Sequence, residues 1–271
     1  MHFLKILPYF LLSATSILTI CPLRSQNTLT VRYTQKTSLR GDNSLSGPTA
    51  LYISGGESVY VHESAPDENY IEDNGGMEIT LIPGDPSGFP IYKNTHIDSL
   101  IYASSIGFYK DYCVIRDTLP RIEWSLDEDG ESRKFGSYTG LLAYGWFGDR
   151  LYEAWFTPDL PYSHGPHKLN GLPGVILEAN SVDGYVNFYF DEINVGDIGN
   201  QITKPSARIQ FNGRKEYEED LLNRNKRLQK KWKSEGSTMQ VRTPYADSQI
   251  ERVPGGYDPD ADPDDEIPPN N

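Results

Sequence analysis

The sequence predicts a mostly β protein: a single antiparallel sheet, strongly curved or open and barrel-like, with one C-terminal helix. Apolar and polar residues alternate with a period of two in many short segments, which is typical of strands with one solvated face. Aromatic residues make up 12% of the chain, so a packed interior is expected. Only 216–234 combines an apolar stripe with an absence of Gly and Pro, and this is the predicted helix.

The N-terminal residues 1–25 have the pattern of a secretory signal peptide. Lys5 precedes an apolar run from Ile6 to Ile20 that is too short to span a bilayer comfortably. A membrane anchor is the alternative, and a lipoprotein acylated at Cys21 is disfavoured because Ile20 precedes the cysteine. We therefore expect an exported protein, periplasmic or secreted, with no transmembrane span in the mature chain.

The charge of the chain argues against several partners. Its 38 acidic and 25 basic residues give a formal net charge of −13. Nucleic acid and anionic lipid repel such a chain unless a local basic patch overrides the total. We therefore expect no nucleic-acid partner.

Cysteine is scarce in the predicted mature chain, where Cys113 stands alone. An exported protein with one cysteine forms no internal disulfide, so its stability must come from a sizeable core. The apolar neighbours Val114 and Ile115 predict a buried thiol rather than a nucleophile.

The predicted strands occupy most of a β-rich domain, 26–235. Asp129-Gly130 and Asp183-Gly184 between them predict tight hairpin turns, because Gly tolerates a positive φ. The predicted strands are 27–33, 58–63, 77–82, 99–109, 112–116, 121–126, 138–147, 150–157, 175–179, 184–193 and 207–211.

The helix 216–234 ends this domain. Acids lead it and bases end it, which suits the helix dipole. Its basic residues either bind an anionic surface or only form a solvated face. Its predicted apolar stripe consists of Tyr217, Leu221, Leu222, Leu228 and Trp232.

The remaining residues, 236–271, form an acidic and Pro-rich tail. Such a composition cannot bury enough apolar surface to fold, and it predicts disorder. The run 258–266 lacks the central Gly and the spaced Glu of a calcium loop. Specific calcium binding is therefore not expected.

The most unusual segment is the loop 157–174, which is rich in Pro and Gly and joins two predicted strands. Proline fixes φ and glycine permits unusual φ, so the loop should follow a defined path. Shaped loops often carry binding residues. Alternatively, the loop is a rigid crossover that packs Trp155 and closes the end of the sheet.

The segment 171–176 reads Gly-Leu-Pro-Gly-Val-Ile. It is accompanied by Ala-Trp-Phe-Thr at 154–157, by Leu160-Pro161 and by Gly165-Pro166. These motifs resemble the GLPGLI family of exported proteins from Bacteroidota, whose naming hexapeptide has Leu where this chain has Val175. The family's function is uncharacterised, so the resemblance implies export and a β-rich domain and supplies no catalytic residues.

The candidate site residues lie in and beside this loop. Aromatic side chains near a Pro/Gly loop can form a ligand groove. The candidate binding residues are Tyr144, Trp146, Trp155, Tyr162, His164 and His167. The structural motif residues are Gly165, Pro166, Gly171, Leu172, Pro173 and Gly174.

A metal site is not expected here. His164 and His167 could share a metal if the loop turned them together, but no third ligand is evident nearby. We also expect no cofactor, because no phosphate-binding loop is present.

Three functions remain open. The leading hypothesis is a non-catalytic cell-envelope binding or accessory protein whose binding surface is the loop 157–174. Its partner would be a small molecule, a lipid, a peptide or an envelope protein. The alternative is an exported hydrolase that uses His164 or His167, although no Gly-x-Ser-x-Gly motif is present. A third hypothesis is a structural envelope component without a ligand.

Overall fold

Fifteen strands and one helix form in the residues that the structure, a computed structural model, describes: 28–38, 44–63, 71–73, 78–80, 89–105, 112–127 and 130–234. The strands are β1 (Leu29–Ser38), β2 (Ser44–Ser54), β3 (Glu57–His62), β4 (Ile71–Asp73), β5 (Glu78–Thr80), β6 (Ile91–Asn94), β7 (Ser99–Ser105), β8 (Tyr112–Thr118), β9 (Trp124–Leu126), β10 (Ser132–Phe135), β11 (Tyr138–Phe147), β12 (Arg150–Thr157), β13 (Val175–Ser181), β14 (Val186–Val195) and β15 (Ile209–Asn212). The helix α1 is Arg214–Ser234. The predicted signal peptide 1–25 and tail 236–271 lie outside the described residues.

One large open sheet contains thirteen of the strands, in the order β10-β11-β12-β13-β14-β1-β2-β3-β6-β7-β8-β15 with β9 added beside β11. The remaining strands, β4 and β5, form a separate antiparallel pair. The predicted mostly β fold with a single large sheet is therefore confirmed.

The prediction of an antiparallel sheet is wrong at one pairing, because β15 runs parallel to β8. The chain leaves β14 and crosses to the far end of the sheet before it forms β15. Such a crossover, unlike a short hairpin, does not force neighbouring strands to run in opposite directions. The sheet is mixed for this reason.

The strands β3, β6, β7 and β8 bury side chains on both faces. One face carries Tyr60 and Tyr102 and belongs to the main core. The opposite face carries a second cluster of Val59, Tyr92, Ile101 and Val114. Both faces of this part of the sheet are therefore covered, the first by the loop 157–174 and the second by the crossover between β14 and β15.

Several predicted strands match the structure closely. β11 and β12 have the predicted bounds, and the hairpin at Asp183-Gly184 is confirmed, with φ of +71° at Gly184. At the other predicted turn, Gly130 has φ of +66° and its N–H donates to the Asp127 carbonyl oxygen at 3.2 Å, while Asp129 lies outside the described residues. The flanking strands form no hairpin with each other, because β9 and β10 each pair with β11. Both strands lie along the same edge of β11, whose other edge pairs with β12.

The predicted helix forms and begins two residues earlier than expected. Asp117 on β8 accepts a hydrogen bond from the Arg214 backbone N–H at 3.2 Å, and this satisfies one free donor of the first turn. Tyr217 and Leu221 are buried, whereas Leu222 of the predicted stripe is 48% exposed.

Among the described residues, no helix combines the length and apolar character needed to cross a bilayer.

Candidate functional site

The Pro/Gly loop folds back onto the sheet. It leaves β12 at Thr157 and enters β13 at Val175, and these two residues are paired across the two strands. Inside the loop, His164 forms an isolated bridge with Asn170. The backbone N–H of Ile176 donates to the His164 carbonyl oxygen at 2.9 Å, which ties the loop to β13.

The middle of the loop, residues 164–170, is buried throughout. His164, His167 and Lys168 are 1%, 4% and 3% exposed. The Lys168 ammonium lies 4.0 Å from the centroid of the Tyr102 ring. This part of the loop therefore packs into the main core. The exposed residues of the loop are Pro158, Asp159, Pro161, Gly171 and Pro173.

A buried lysine from the sheet holds this loop in place. The Lys93 side chain on β6 is completely buried and donates to the carbonyl oxygens of Gly165 and Leu169. Burial lowers the pKa of Lys93 to about 7. No carboxylate of the described residues forms an ion pair with it, so backbone carbonyls alone stabilise the cation.

The two loop histidines are neutral groups of the core. Burial, reinforced by the charge of Lys93, lowers the pKa of His164 to about 3, while the Gly55 backbone partly opposes this shift. Burial also holds the pKa of His167 well below its usual value, with smaller contributions from Lys168 and Lys93. Neither imidazole is therefore protonated at neutral pH.

Ser58 on β3 and His164 in the loop form a pair that resembles a nucleophile and its base. Ser58 Oγ lies 3.0 Å from His164 Nδ1. Both residues are sealed from solvent, and an imidazole whose pKa is about 3 is a weak base. The contact is therefore a structural hydrogen bond between the sheet and the loop.

The motif glycines have specific steric roles. A Cβ on Gly174 would overlap the carbonyl oxygen of Thr157, and one on Gly165 would lie 2.6 Å from Cδ1 of Ile176. Gly171 has φ of +99°, which other residues rarely adopt. Leu172 is buried in the core, Pro166 is buried, and Pro173 is exposed. The motif thus shapes a closely packed connection.

The structure does not gather the candidate aromatic residues into one site. Trp155 is 5% exposed and packs beside Phe135, with ring centroids 6.1 Å apart. Tyr162 is half-buried in the loop. Tyr144 is also half-buried and Trp146 is 66% exposed, and both lie on β11. Trp146 pairs with Leu151, at the end of β12 opposite the loop.

A groove that sequence reasoning missed lies on the other face of the sheet. It has a volume of about 610 Å³ and is bounded by β3, β7, β8 and the crossover after β14. Ile202 and Ala207 of the crossover pack against the apolar cluster under the groove. The lining residues are Val59, Val61, Pro90, Ala103, Tyr112, Cys113, Val114, Asn200, Gln201, Thr203, Lys204, Pro205, Ser206, Ala207 and Arg208.

The groove combines an apolar floor with a basic wall. Val59, Val61 and Val114 contribute to the floor, and the charged lining residues are Lys204 and Arg208, both exposed. Lys204 Nζ lies 5.0 Å from the centroid of the Tyr92 ring. One feature of the sequence points to this face. Residues 59–61, Val-Tyr-Val, are apolar at consecutive positions, which is typical of a strand buried on both sides.

No group of three or more His, Cys, Asp or Glu side chains in the described ranges is placed to hold a metal ion. The Cys113 thiol is buried, so its predicted burial is confirmed.

The fold of this chain is similar to part of a protein of known structure. Two structures of PNGF-II, in space groups P21 and C2, each match with a TM-score of 0.50 and 13% sequence identity. The matches cover 72% and 73% of this chain and 33% of the PNGF-II chain, so this chain spans about a third of that length. At this identity the likeness is one of fold alone.

Sequence comparison gives a short family match. No curated protein is similar in sequence to this chain. A family model described as a protein of unknown function (Porph_ging) matches residues 148–178. The match covers the turn before β12, β12 itself, the buried loop and most of β13. It is compatible with the GLPGLI resemblance and coincides with the segment whose glycines have the steric roles described above.

Proposed function

We propose that this protein is an exported, non-catalytic binding protein that holds an anionic amphiphile with a single alkyl chain in the groove between β3, β7, β8 and the crossover. The observation that carries the proposal is the groove itself, with its apolar floor and basic wall. Its volume of about 610 Å³ is within the range of small-molecule sites. The loop 157–174 would serve as a rigid support in the core on the opposite face.

The charges beside the groove favour an anionic head group. The chain as a whole carries a net charge of −13, yet both charged residues that line the groove in the described part are cations. An alkyl chain would bury its methylenes against Val59, Val61 and Ala103, and each buried methylene contributes about 0.8 kcal/mol. A carboxylate at the rim would then lie near Lys204 and Arg208.

The geometry gives less support to the hydrolase hypothesis. A hydrolytic nucleophile must reach substrate and water, and Ser58 and His164 are both closed off from solvent. His167 is buried as well.

Export is part of the proposal because residues 1–25 have the signal pattern. N-terminal mass analysis of the secreted protein would test it.

Ligand titration would test the groove directly. Calorimetry would measure binding of hexadecanoate, of hexadecyltrimethylammonium, and of a short acidic peptide without an alkyl chain, with both amphiphiles kept below micelle formation. We expect hexadecanoate to bind most tightly, because it alone combines the alkyl chain with a negative charge. Equal binding of both amphiphiles would contradict the role of the cations, and tightest binding of the peptide would contradict the apolar floor.

Three variants locate the site. The double variant Lys204→Glu, Arg208→Glu should weaken hexadecanoate binding by about tenfold or more, which corresponds to about 1.4 kcal/mol. Val61→Trp should fill the floor and also weaken binding. The matched control Lys134→Glu alters an exposed lysine on β10, at the other end of the sheet, and should leave the affinity unchanged. Unchanged binding by both groove variants would place the ligand elsewhere.

A further inference from the structure

A second basic surface lies on the helix α1, away from the groove lining. Five basic side chains in its C-terminal half, which we call the basic face, are all exposed. In the helix the last acid is Asp220, which pairs with Arg224. The basic face consists of Lys226, Arg227, Lys230, Lys231 and Lys233.

The basic face points away from the sheet. Leu221 and Asn225 are buried at 2% and 7% exposure, four residues apart, and therefore mark the side of the helix that faces the protein. At 100° per residue, the five cations lie within an arc on the other side of the helix. None of them forms an ion pair with an acid of the described residues. A concentration of unpaired charge in an acidic chain is a suitable surface for an anionic partner.

The chain itself supplies a partner of matching charge. The acidic segment 258–266 reads DPDADPDDE and contains six acids and no base. The only bases between Ser234 and this segment are Arg242 and Arg252. The charges of the two regions are therefore opposite and nearly equal in number.

The covalent connection allows the two regions to meet. Residues 235–257 link them, and an extended chain of this length spans up to about 75 Å. The part of the helix from 226 to 233 is only about 12 Å long. A tethered partner acts at an effective concentration in the millimolar range, which favours it over a dilute external polyanion.

We propose that the acidic segment 258–266 binds the basic face of α1 within the same chain and so keeps this face from external polyanions. The contact is electrostatic, because the apolar side of the helix is packed against β8 and β15. It should therefore weaken with salt, since charges at the surface are screened over about 10 Å at 0.1 M ionic strength.

The test compares the full chain with a tail-neutral variant, in which the five Asp of 258–266 become Asn and Glu266 becomes Gln. The probe is a labelled peptide with the sequence of residues 256–268, and its Asn/Gln counterpart is the control peptide. We expect the acidic peptide to bind the tail-neutral variant at least tenfold more tightly than the full chain, whose own segment already occupies the site. Raising the salt from about 50 to about 300 mM should weaken this binding tenfold or more.

Two further variants locate the contact in the tail-neutral background. Replacement of Lys226, Arg227, Lys230 and Lys231 by Gln should abolish peptide binding, and Gln retains a good helix propensity. Replacement of Lys204 and Arg208 by Gln should leave it unchanged. Circular dichroism and the denaturation midpoint would show that both variants are folded.

Three results would overturn the proposal. One is equal peptide binding by the full chain and the tail-neutral variant. Another is loss of binding on the groove replacement rather than on the helix replacement. The third is equal binding of both proteins to vesicles that contain phosphatidylglycerol, because the basic face would then be open to external surfaces in the full chain.

Discussion

Gly174 and Thr157 approach each other so closely that a Cβ on Gly174 would overlap the carbonyl oxygen of Thr157. The overlap would be between the added Cβ and a backbone carbonyl oxygen. Neither atom can move aside by a simple side-chain rotation. These residues lie where the Pro/Gly loop begins and ends, beside the pairing of Thr157 with Val175. Close approach of the two ends is thus a condition for closing the loop over the core.

Gly174→Ala should therefore destabilise the protein by about 3 kcal/mol or more, since the backbone must shift inside a packed region. The measurement is the free energy of unfolding from denaturant titration. Gly47→Ala is the matched control, because Gly47 lies on a strand with open space at its Cβ position. A cost for Gly174→Ala no larger than for the control would contradict the close approach.

The lowered pKa of Lys93 predicts that the free energy of unfolding rises at alkaline pH. Its pKa is lowered to about 7 from an ordinary value of 10.5, so the unfolded chain binds more protons between these values. Stability should rise as the pH increases from 7 towards 10.5, by about 5 kcal/mol at most. Lys93→Met should lose this slope between about pH 7 and 9.5, while Lys134→Met should keep it. An identical slope in both variants would show that burial does not lower the pKa of Lys93 in the folded protein.

The lowered pKa of His164 predicts that the folded protein loses stability in acid. Its pKa is lowered from 6.5 to about 3, so the unfolded chain binds more protons within this window and stability falls as the pH falls through it. His164→Asn removes the titration, and Asn can replace Nδ1 as a partner of Ser58. The unfolding free energy of this variant should depend less on pH between 6.5 and 3 than that of His96→Asn, which alters an exposed histidine. A parallel pH dependence in the two variants would count against a buried neutral imidazole.

The burial of Cys113 predicts that its thiol is modified slowly in the folded protein. Its side chain has no exposed surface, and its Sγ lies 3.4 Å from the carbonyl oxygen of Ser104. In a Cys21→Ser background, Ellman's reagent should label the native protein only at the rate at which β8 opens, and it should label the protein immediately in denaturant. Rapid labelling of the native protein would show that this part of the sheet is open.

The regular part of the fold could be predicted because its determinants are local. β11 and β12 are rich in aromatic and aliphatic residues and are separated by the turn residues Gly148-Asp149, and this local composition predicts their bounds. β2 was missed because Gly47 and Pro48 interrupt it, although Pro48 is paired with Thr34 in the sheet. β6 was missed because it has only four residues.

The surroundings of the candidate site could not be predicted, because they depend on contacts between distant segments. His164 and His167 lie in a polar sequence that suggests a surface loop. Their burial depends on Lys93, about 70 residues away in the chain, whose strand was not predicted. The groove likewise requires the crossover after β14 to lie on β3 and β8, and no local pattern indicates where a crossover packs.

Methyl NMR of the protein during titration with hexadecanoate is the most direct test of the proposed binding function. The methyl groups of Val59, Val61, Ala103 and Val114 should shift as hexadecanoate fills the groove, while those of Leu169 and Leu172 in the buried loop should not. Shifts confined to the loop 157–174, or no saturable shift at any methyl group, would contradict the account.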